Sequence, residues 1–447
     1  LEDEVIFKEG YMVPLYGAKK NLIYDNKILN KKSIGLPNSR ALIWQQFDYN
    51  NKQNRDKRPL VMTQQDGELQ SLDPIRSIAP SVYGIDMNMY TRLLTLDDND
   101  KITTNGSLSH SYAVNKDNDE FYFLLRDDDY FAKVKNGNAI NTHERVTADD
   151  VTFSLNRARN KNSVKDNNTY NMHQHIKDIK ELSNSDKKDL KNTKAKNGKS
   201  VWETLTKNNN VKNITDNDHK VDNKKGIYQI IKIKTDQSMP KEVNYLTHSS
   251  AGILSKHYVE QMNKAHGDDY GSPNTIPKTD VGNNSIVASG AYIITKKNNY
   301  QATFQKNPGF NMDENDKYGS AKIKNITLKF NDDPNSAISE LRSHSIDMLA
   351  DIDQKNFDLI KSDKDLSIVR KNGRKSVFLM VNSKRGIFKN NPHLRRAVIN
   401  AIDQNQFIKF YRGDKFKIAS PVTPLLNTGN EQRQNLDKVQ EEINKRN

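Results

Sequence analysis

Phe121-Tyr122-Phe123-Leu124-Leu125-Arg126-Asp127-Asp128 and, further on, Thr147-Ala148-Asp149-Asp150-Val151-Thr152-Phe153-Ser154 are the stretches whose reading decides the fold. In the first, Phe121, Phe123 and Leu125 alternate with Tyr122, Leu124 and Arg126, the two-residue period of a strand. In the second, Thr147 with Asp150 three residues later is a capping-box start, and Val151, Ser154, Leu155 and Ala158 then fall on one helical face. Outward from this pair the same mixture continues. Ile227, Gln229, Ile231 and Ile233 read as a strand, and so do Ile326, Leu328 and Phe330, closed by Asp332-Asp333-Pro334. Asn391-Pro392 places a capping residue before a first-turn proline, and Leu394, Ala397, Val398, Ala401 and Ile402 continue as an amphipathic helix. The succession is irregular, so the chain is a mixed α/β fold and not a repeat array. Val5 to Tyr24 reads as apolar and extended around a Tyr16-Gly17 turn, and Leu42, Ile43 and Trp44 end a second short run. Asn50 to Arg58 reads as a flexible tether, with something separable beginning at Pro59. Ser183 to Lys225 reads as a polar surface excursion inside a domain.

At 447 residues the chain exceeds what one core usually holds, which predicts two or three domains. Mean hydropathy is -0.89 and only 34% of residues are apolar, yet 15 Phe, 18 Tyr and 2 Trp recur in periodic segments, so the chain is wet but folded. No apolar run is long enough for a spanning helix, and no signal peptide is visible, as in a mature chain. Lys and Arg number 70 against 56 Asp and Glu, a net charge of +14. That excess is dispersed, and the stretches Lys187 to Lys199 and Asn208 to Lys225 lack interleaved aromatics. It reads as a solvated surface, or as attraction to an anionic membrane or wall, and no nucleic-acid partner is expected. The absence of cysteine excludes thiol catalysis, disulfides and thiolate metal sites, and fits an exported protein.

Motifs for chemistry are sparse. There is no phosphate-binding glycine loop, no G-x-S-x-G elbow and no H-E-x-x-H helix, so no enzyme and no cofactor is expected. His173-x-His175 beside Met172 has donors for a soft or borderline metal, or is pocket polarity. His248, His257 and His266 recur every nine residues, which is not one helical face. Asp149 and Asp150 sit where a helix N-terminus stabilises a carboxylate without catalysis. Arg412-Gly413-Asp414 is the tripeptide integrins read, and equally an ordinary turn after a helix.

The order of segments carries a resemblance. Leu69-Gln70-Ser71-Leu72-Asp73-Pro74, Tyr90 to Leu94, then Phe121 to Asp128 and Thr147 to Ser154 resemble the opening of the family 5 extracellular solute-binding proteins. These are the peptide-, dipeptide-, glutathione- and nickel-binding components of ABC importers. Ala288-Ser289-Gly290-Ala291-Tyr292 resembles the family's G-x-Y/W turn, and Ser345-Ile346-Asp347-Met348 its G-x-I-D segment. Pro392 to Val398 with Ala401-Ile402-Asp403 resembles its v-R-x-A-l-x-x-A-i-D helix, and Ser420-Pro421-Val422-Thr423-Pro424 its s-P-i-x-P loop. The chain departs from the pattern at Leu108-Ser109, at Tyr112, in an insertion between Phe131 and Gly137, and in the length of Ser183 to Lys225. The Arg-Gly-Asp is similar to that of oligopeptide-binding lipoproteins of low-GC Gram-positive bacteria.

The resemblance implies an α/β, two-lobed periplasmic-binding-protein-like fold with a subdomain on lobe I and a ligand cleft between lobes. It implies these boundaries: 1–50, a return segment of lobe I; 59–94, lobe I; 95–256, its subdomain; 257–350, lobe I; 351–447, part of lobe II. Val13-Pro14-Leu15-Tyr16 followed by Trp44 resembles the family's closing i-P-l-y strand, here placed first, and after Asn447 the family continues for about a hundred residues. We therefore expect 1–50 to be a natural C-terminal segment moved to the front, by permutation or by numbering.

By the same resemblance Pro80, Ser81, Val82 and Tyr83 fall in a first cleft loop, Tyr170, Met172 and His173 in a second, and Thr247, His248, Ser249 and Ser250 in a third. Arg374 and Ser376 precede a lobe II strand, with Arg374 suited to a ligand carboxylate or to the surface. The family's carboxylate for a peptide N-terminus has no counterpart here. The implied function is capture of a small peptide (oligopeptide, dipeptide or glutathione-like) outside the cell and delivery to membrane permease subunits of an ABC transporter. The chain is expected to be a lipid-anchored monomer at the extracellular face of the membrane. A nickel or cobalt chelate ligand and an Arg-Gly-Asp adhesin are the alternatives.

Overall fold

The computed structural model describes residues 2–38, 41–65, 67, 69, 71–76, 79–266, 286–313, 315–412, 414–420 and 435–445. Gln70, Gly413 and the Pro421 to Pro424 loop lie outside them. Contacts divide the chain into one unit of Leu1–Asp25 with Met348–Asn447 and another of Asn26–Asp347.

The first unit is built on a long antiparallel pair, Met12–Asp25 against Leu366–Met380, running from Met12 opposite Met380 to Asp25 opposite Leu366. Register shifts at Pro14/Tyr16 and Gly17/Lys19 bend the ribbon. The expected Tyr16-Gly17 turn is thus an irregularity within one strand. Gly17 is needed there because a Cβ would meet the Phe416 ring at 2.4 Å. Met348–Ala350 pairs along Leu22 to Tyr24. The residues before the strand are not extended as expected: Glu2–Glu9 is a helix. Gly10, at φ +68°, stops it, with Tyr11 N–H donating to Ile6 O at 3.0 Å. Pro392–Ala401 forms the predicted helix, its first turn capped by Asn391 Oδ1 accepting from Leu394 N at 3.0 Å. Arg395 on that helix is buried and donates to Glu9 O and Phe388 O. Among the described residues, most exposed large apolar side chains belong to this unit, including Phe378, Met380, Ile387, Phe410 and Leu436.

The second unit holds three larger sheets. In one, Tyr292–Lys297, Gln301–Lys306 and Asn325–Phe330 run antiparallel, and Leu60–Gln64 joins the last of them in parallel. Trp44 packs edge-on against Phe304 and Tyr292 at 4.9 and 5.8 Å. A second sheet orders Ser109–Val114, Glu120–Leu125, Ile230–Thr235 and Ile176–Leu182, all antiparallel. Phe121, Phe123, Ile231 and Ile233 are fully buried in it. The third combines Val287–Ala288, Tyr130–Lys135 and Asn138–Arg145. Helix Ala148–Arg159 carries the predicted capping box, and Val151, Leu155 and Ala158 are buried.

Two polar stretches are more ordered than their composition predicts. The tether reading of Asn50 to Arg58 is overturned: Asn54–Lys57 is a helical turn, Arg55 grips Asp48 with two bonds of 2.8 and 2.6 Å, and Lys324 N–H donates to Arg55 O. Polar side chains hold it through specific partners, Asn50 donating to Asn26 O and Arg58 to Asp347. The Ser183 to Lys225 excursion has a core of its own: Leu190, Val201, Leu205 and Ile214 pack with Tyr122, Leu124 and Ile230. A few well-spaced apolar residues suffice to pin a Lys/Asn-rich surface.

The motif residues have physical reasons to be what they are. Asp347, fully buried, accepts two bonds from Arg58 at 2.8 and 2.6 Å and one from Val61 N at 2.8 Å, anchoring the start of Leu60–Gln64. A Cβ on Gly290 would lie 2.6 Å from the backbone of Met89 and Tyr90. Asp73 and Arg157, both buried, form a bidentate pair at 3.1 and 2.5 Å. Removing one partner of such a pair leaves a buried charge uncompensated, so Arg157→Met should lower the unfolding free energy by about 3 kcal/mol. Gly290→Ala should cost about 2 kcal/mol through overpacking. Urea unfolding measures both, and wild-type midpoints would refute these assignments.

Candidate functional site

Three loops of the second unit converge, each held by its own ties. The first is helix Pro80–Met89, with proline in its first turn. Asn88 secures it, accepting from Trp44 N at 2.8 Å and donating to Leu42 O and Gly84 O. The second is the helical turn Tyr170–His173. It is tied to the Asp73 turn through Asn168 N–H to Ile75 O at 3.0 Å and Asn168 Nδ2 to Arg76 O at 2.5 Å. The third is the 3-10 turn Ser249–Ala251. Beyond it Ile253 N–H donates to Thr91 O at 2.9 Å, and Ser289 Oγ donates to Ile253 O at 2.6 Å while accepting from Thr91 N.

Ser250 Oγ sits where these loops meet. It lies 2.7 Å from His173 Nε2, 2.9 Å from His248 Nδ1 and 3.8 Å from Met172 Sδ. Ser250 N–H also donates to His248 Nδ1 at 3.1 Å. The Tyr83 ring lies against the His248 ring, centroids 4.9 Å apart. His173 is fully buried and its Nδ1 has no partner. His248 is partly exposed; its Nε2 makes no bond to a described residue and is not among the fully buried polar atoms. Burial pushes His173 down to about 3, with His248 nearby adding to the effect. Burial, and then the charge of Arg92, pushes His248 down to about 4. Both imidazoles are therefore neutral at physiological pH. On the same first helix, burial raises the Asp86 carboxyl well above its ordinary value. The cluster thus presents neutral hydrogen-bonding groups and one aromatic face.

Of the residues expected from the sequence, Tyr83, His173 and His248 come together. Ser81 and Tyr170 are half-buried on the same elements. Val82 is fully buried, so its side chain serves the core and not an open surface. Thr247 Oγ1 is spent on Asn244 O at 2.7 Å, and Ser249 is buried in the turn. Arg374 and Ser376 belong to the first unit, on Leu366–Met380, where Arg374 is exposed and Ser376 lies opposite Gly17. Ser250 is the member the sequence understated; its two-residue spacing from His248 is the available signal, since that offset lets a side-chain acceptor cap the next turn. His175 is not a partner of His173, because its Nδ1 faces Asp236 at 3.3 Å.

The Arg-Gly-Asp reading meets an obstacle in the first unit. Asp414 is only 8% exposed and is held by Arg370 at 3.3 Å and Lys415 at 2.7 Å. A receptor would have to displace both cations to reach it. Elsewhere in the second unit a cavity of about 960 Å³ is lined by His143, Glu144, Asp149, Asp218, Lys256 and His257. There Lys256 already neutralises Asp149 at 2.9 Å, and the three converging loops do not line it.

The two depressed imidazoles give stability a pH dependence of definite sign. Each binds fewer protons folded than unfolded below the ordinary histidine value, so its contribution is intact above about pH 6.5 and is lost as pH falls toward 4 for His248 and 3 for His173. Removing one such group with His173→Gln should flatten the acid limb by up to about 1.4 kcal/mol per pH unit. Urea unfolding from pH 6.5 to 4 checks this, and identical slopes for variant and wild type would exclude it.

The family model for bacterial extracellular solute-binding proteins, family 5 middle, matches residues 103–445. No curated protein sequence matches the chain. Among solved structures, the periplasmic binding protein DppA of Helicobacter pylori, in complex with the peptide STSA, aligns with a TM-score of 0.61 at 17% identity over 88% of this chain and 67% of that one. NikZ of Campylobacter jejuni, in complex with Ni(L-His), aligns with a TM-score of 0.57 at 20% identity over 87% and 62%. HbpA2 of Haemophilus parasuis gives 0.56 at 16% over 87% and 66%. The chain thus spans about two thirds of the length of these structures, whose mixed α/β, two-lobed architecture it shares. With most of its length matched, the chain belongs to family 5 of the bacterial extracellular solute-binding proteins.

Proposed function

We propose that this chain is the extracellular substrate-binding component of an ABC importer that captures small peptides and delivers them to membrane permease subunits, acting as a lipid-anchored monomer. The observation that carries the ligand class is the uncharged cluster at the meeting of three loops: the Tyr83 face against His248, whose Nε2 has no hydrogen-bond partner among the described residues. A peptide brings amide groups whose burial costs about 1 to 3 kcal/mol each if left unpaired. Neutral donors and an aromatic face supply that pairing without the desolvation cost of a charge. The peptide held by the Helicobacter pylori structure agrees with this reading.

A second reading is a nickel or cobalt chelate. Its support is the convergence of His173, His248 and Met172 donors on one point and the Ni(L-His) in the Campylobacter jejuni structure. Against it, Ser250 Oγ already occupies that point, and both ring nitrogens are engaged with it.

Calorimetry with trialanine, dipeptides, glutathione and nickel with histidine separates the two. Peptide binding is expected, with Tyr83→Ala weakening it about tenfold through loss of an aromatic contact worth roughly 1 kcal/mol or more. Heat only from the nickel–histidine mixture would replace the peptide reading with the chelate reading.

A further inference from the structure

Resting on the reading that the three-loop cluster holds the ligand, we propose that Ser250 orders the protons of both imidazoles so that His248 presents Nε2–H outward, making it a specificity-determining donor for a neutral carbonyl oxygen of the ligand.

Ser250 N–H points at His248 Nδ1 from 3.1 Å, so that nitrogen is an acceptor and carries no proton. A neutral imidazole bears one ring proton, which must then be on His248 Nε2. The contact of 2.9 Å between Ser250 Oγ and the bare Nδ1 needs a proton between them, and the serine hydroxyl alone can supply it. Having given its proton there, Ser250 Oγ can only accept across the 2.7 Å contact to His173. The donor is therefore His173 Nε2–H, which leaves His173 Nδ1 bare, in keeping with its burial without a partner. The alternative directions fail: a hydroxyl turned toward His173, or toward Met172 Sδ at 3.8 Å, would set two lone pairs against each other across the 2.9 Å contact with His248 Nδ1.

The consequence reaches the ligand. His248 Nε2 is the one ring nitrogen of the pair that is neither engaged with Ser250 nor fully buried without a partner. As N–H it donates to a carbonyl oxygen and repels an ammonium group. Ser250 acts through the rings and is a positioning residue.

Ligand-free protein labelled with ¹⁵N-histidine reports which ring nitrogen is protonated. At pH 7 both His173 and His248 should be neutral Nε2–H tautomers. In Ser250→Ala, His173 should lose its single tautomer while His248, still facing the backbone N–H of residue 250, keeps its own; Ser250→Thr should restore His173. His248 found as Nδ1–H or as imidazolium would overturn the proposal, and so would an unchanged His173 tautomer in a folded Ser250→Ala. For recognition, His248→Leu should weaken trialanine binding about tenfold, and His248→Gln, which keeps an N–H at the same reach, should stay within about threefold. Equal losses in both would overturn the donor role. If the tautomers are as stated but trialanine moves no His248 resonance, the cluster is not the ligand site and the peptide-site reading fails, while the proton order stands.

Discussion

The buried pair of Arg157 and Asp73 is the interaction on which the candidate site depends. Asp73 closes the turn at Leu72 to Arg76, and that turn offers Ile75 O and Arg76 O to Asn168, which in turn sets the start of Tyr170–His173. Arg157 stands on the helix whose capping box begins at Thr147. One ion pair therefore joins a helix, a turn and the loop that delivers His173. In a dry interior such a pair holds geometry because no water competes for either partner.

Neutrality follows from the same dryness. Isolated imidazoles titrate near neutral pH, but burial keeps His173 and His248 uncharged far below it. A binding site made of neutral polar groups need not surrender a hydration shell of ions when a ligand enters. On the proposed reading such a site selects by the direction of each donor and acceptor, and Ser250 between the two rings sets that direction.

The segments that resemble the family have mechanical reasons that a motif alone does not reveal. Gly290 is glycine because the backbone of Met89 and Tyr90 passes through the space of a side chain. Its neighbour Ser289 bonds both Thr91 and Ile253, and so ties the end of the first site helix to the segment after Ser249–Ala251. Asp347 holds Arg58 and Val61 at the start of a strand. These residues shape the scaffold around the candidate site.

Local pattern by itself determined the mixed α/β class, the strand at Phe121, the capping box at Thr147 and the capped helix at Pro392, because period and capping depend on neighbours a few residues away. The order of those segments led to the family and to the three loops. Tertiary structure alone decided that Asn54–Lys57 is an ordered turn, since its partners Asp48 and Lys324 are set by the fold. It likewise decided that Val82 and Thr247 serve the scaffold, that His173 and not His175 faces His248, and that Ser250 stands between them. Side-chain partnership across 77 residues, as between His173 and Ser250, has no local signal: it exists only once the backbone has brought the loops together.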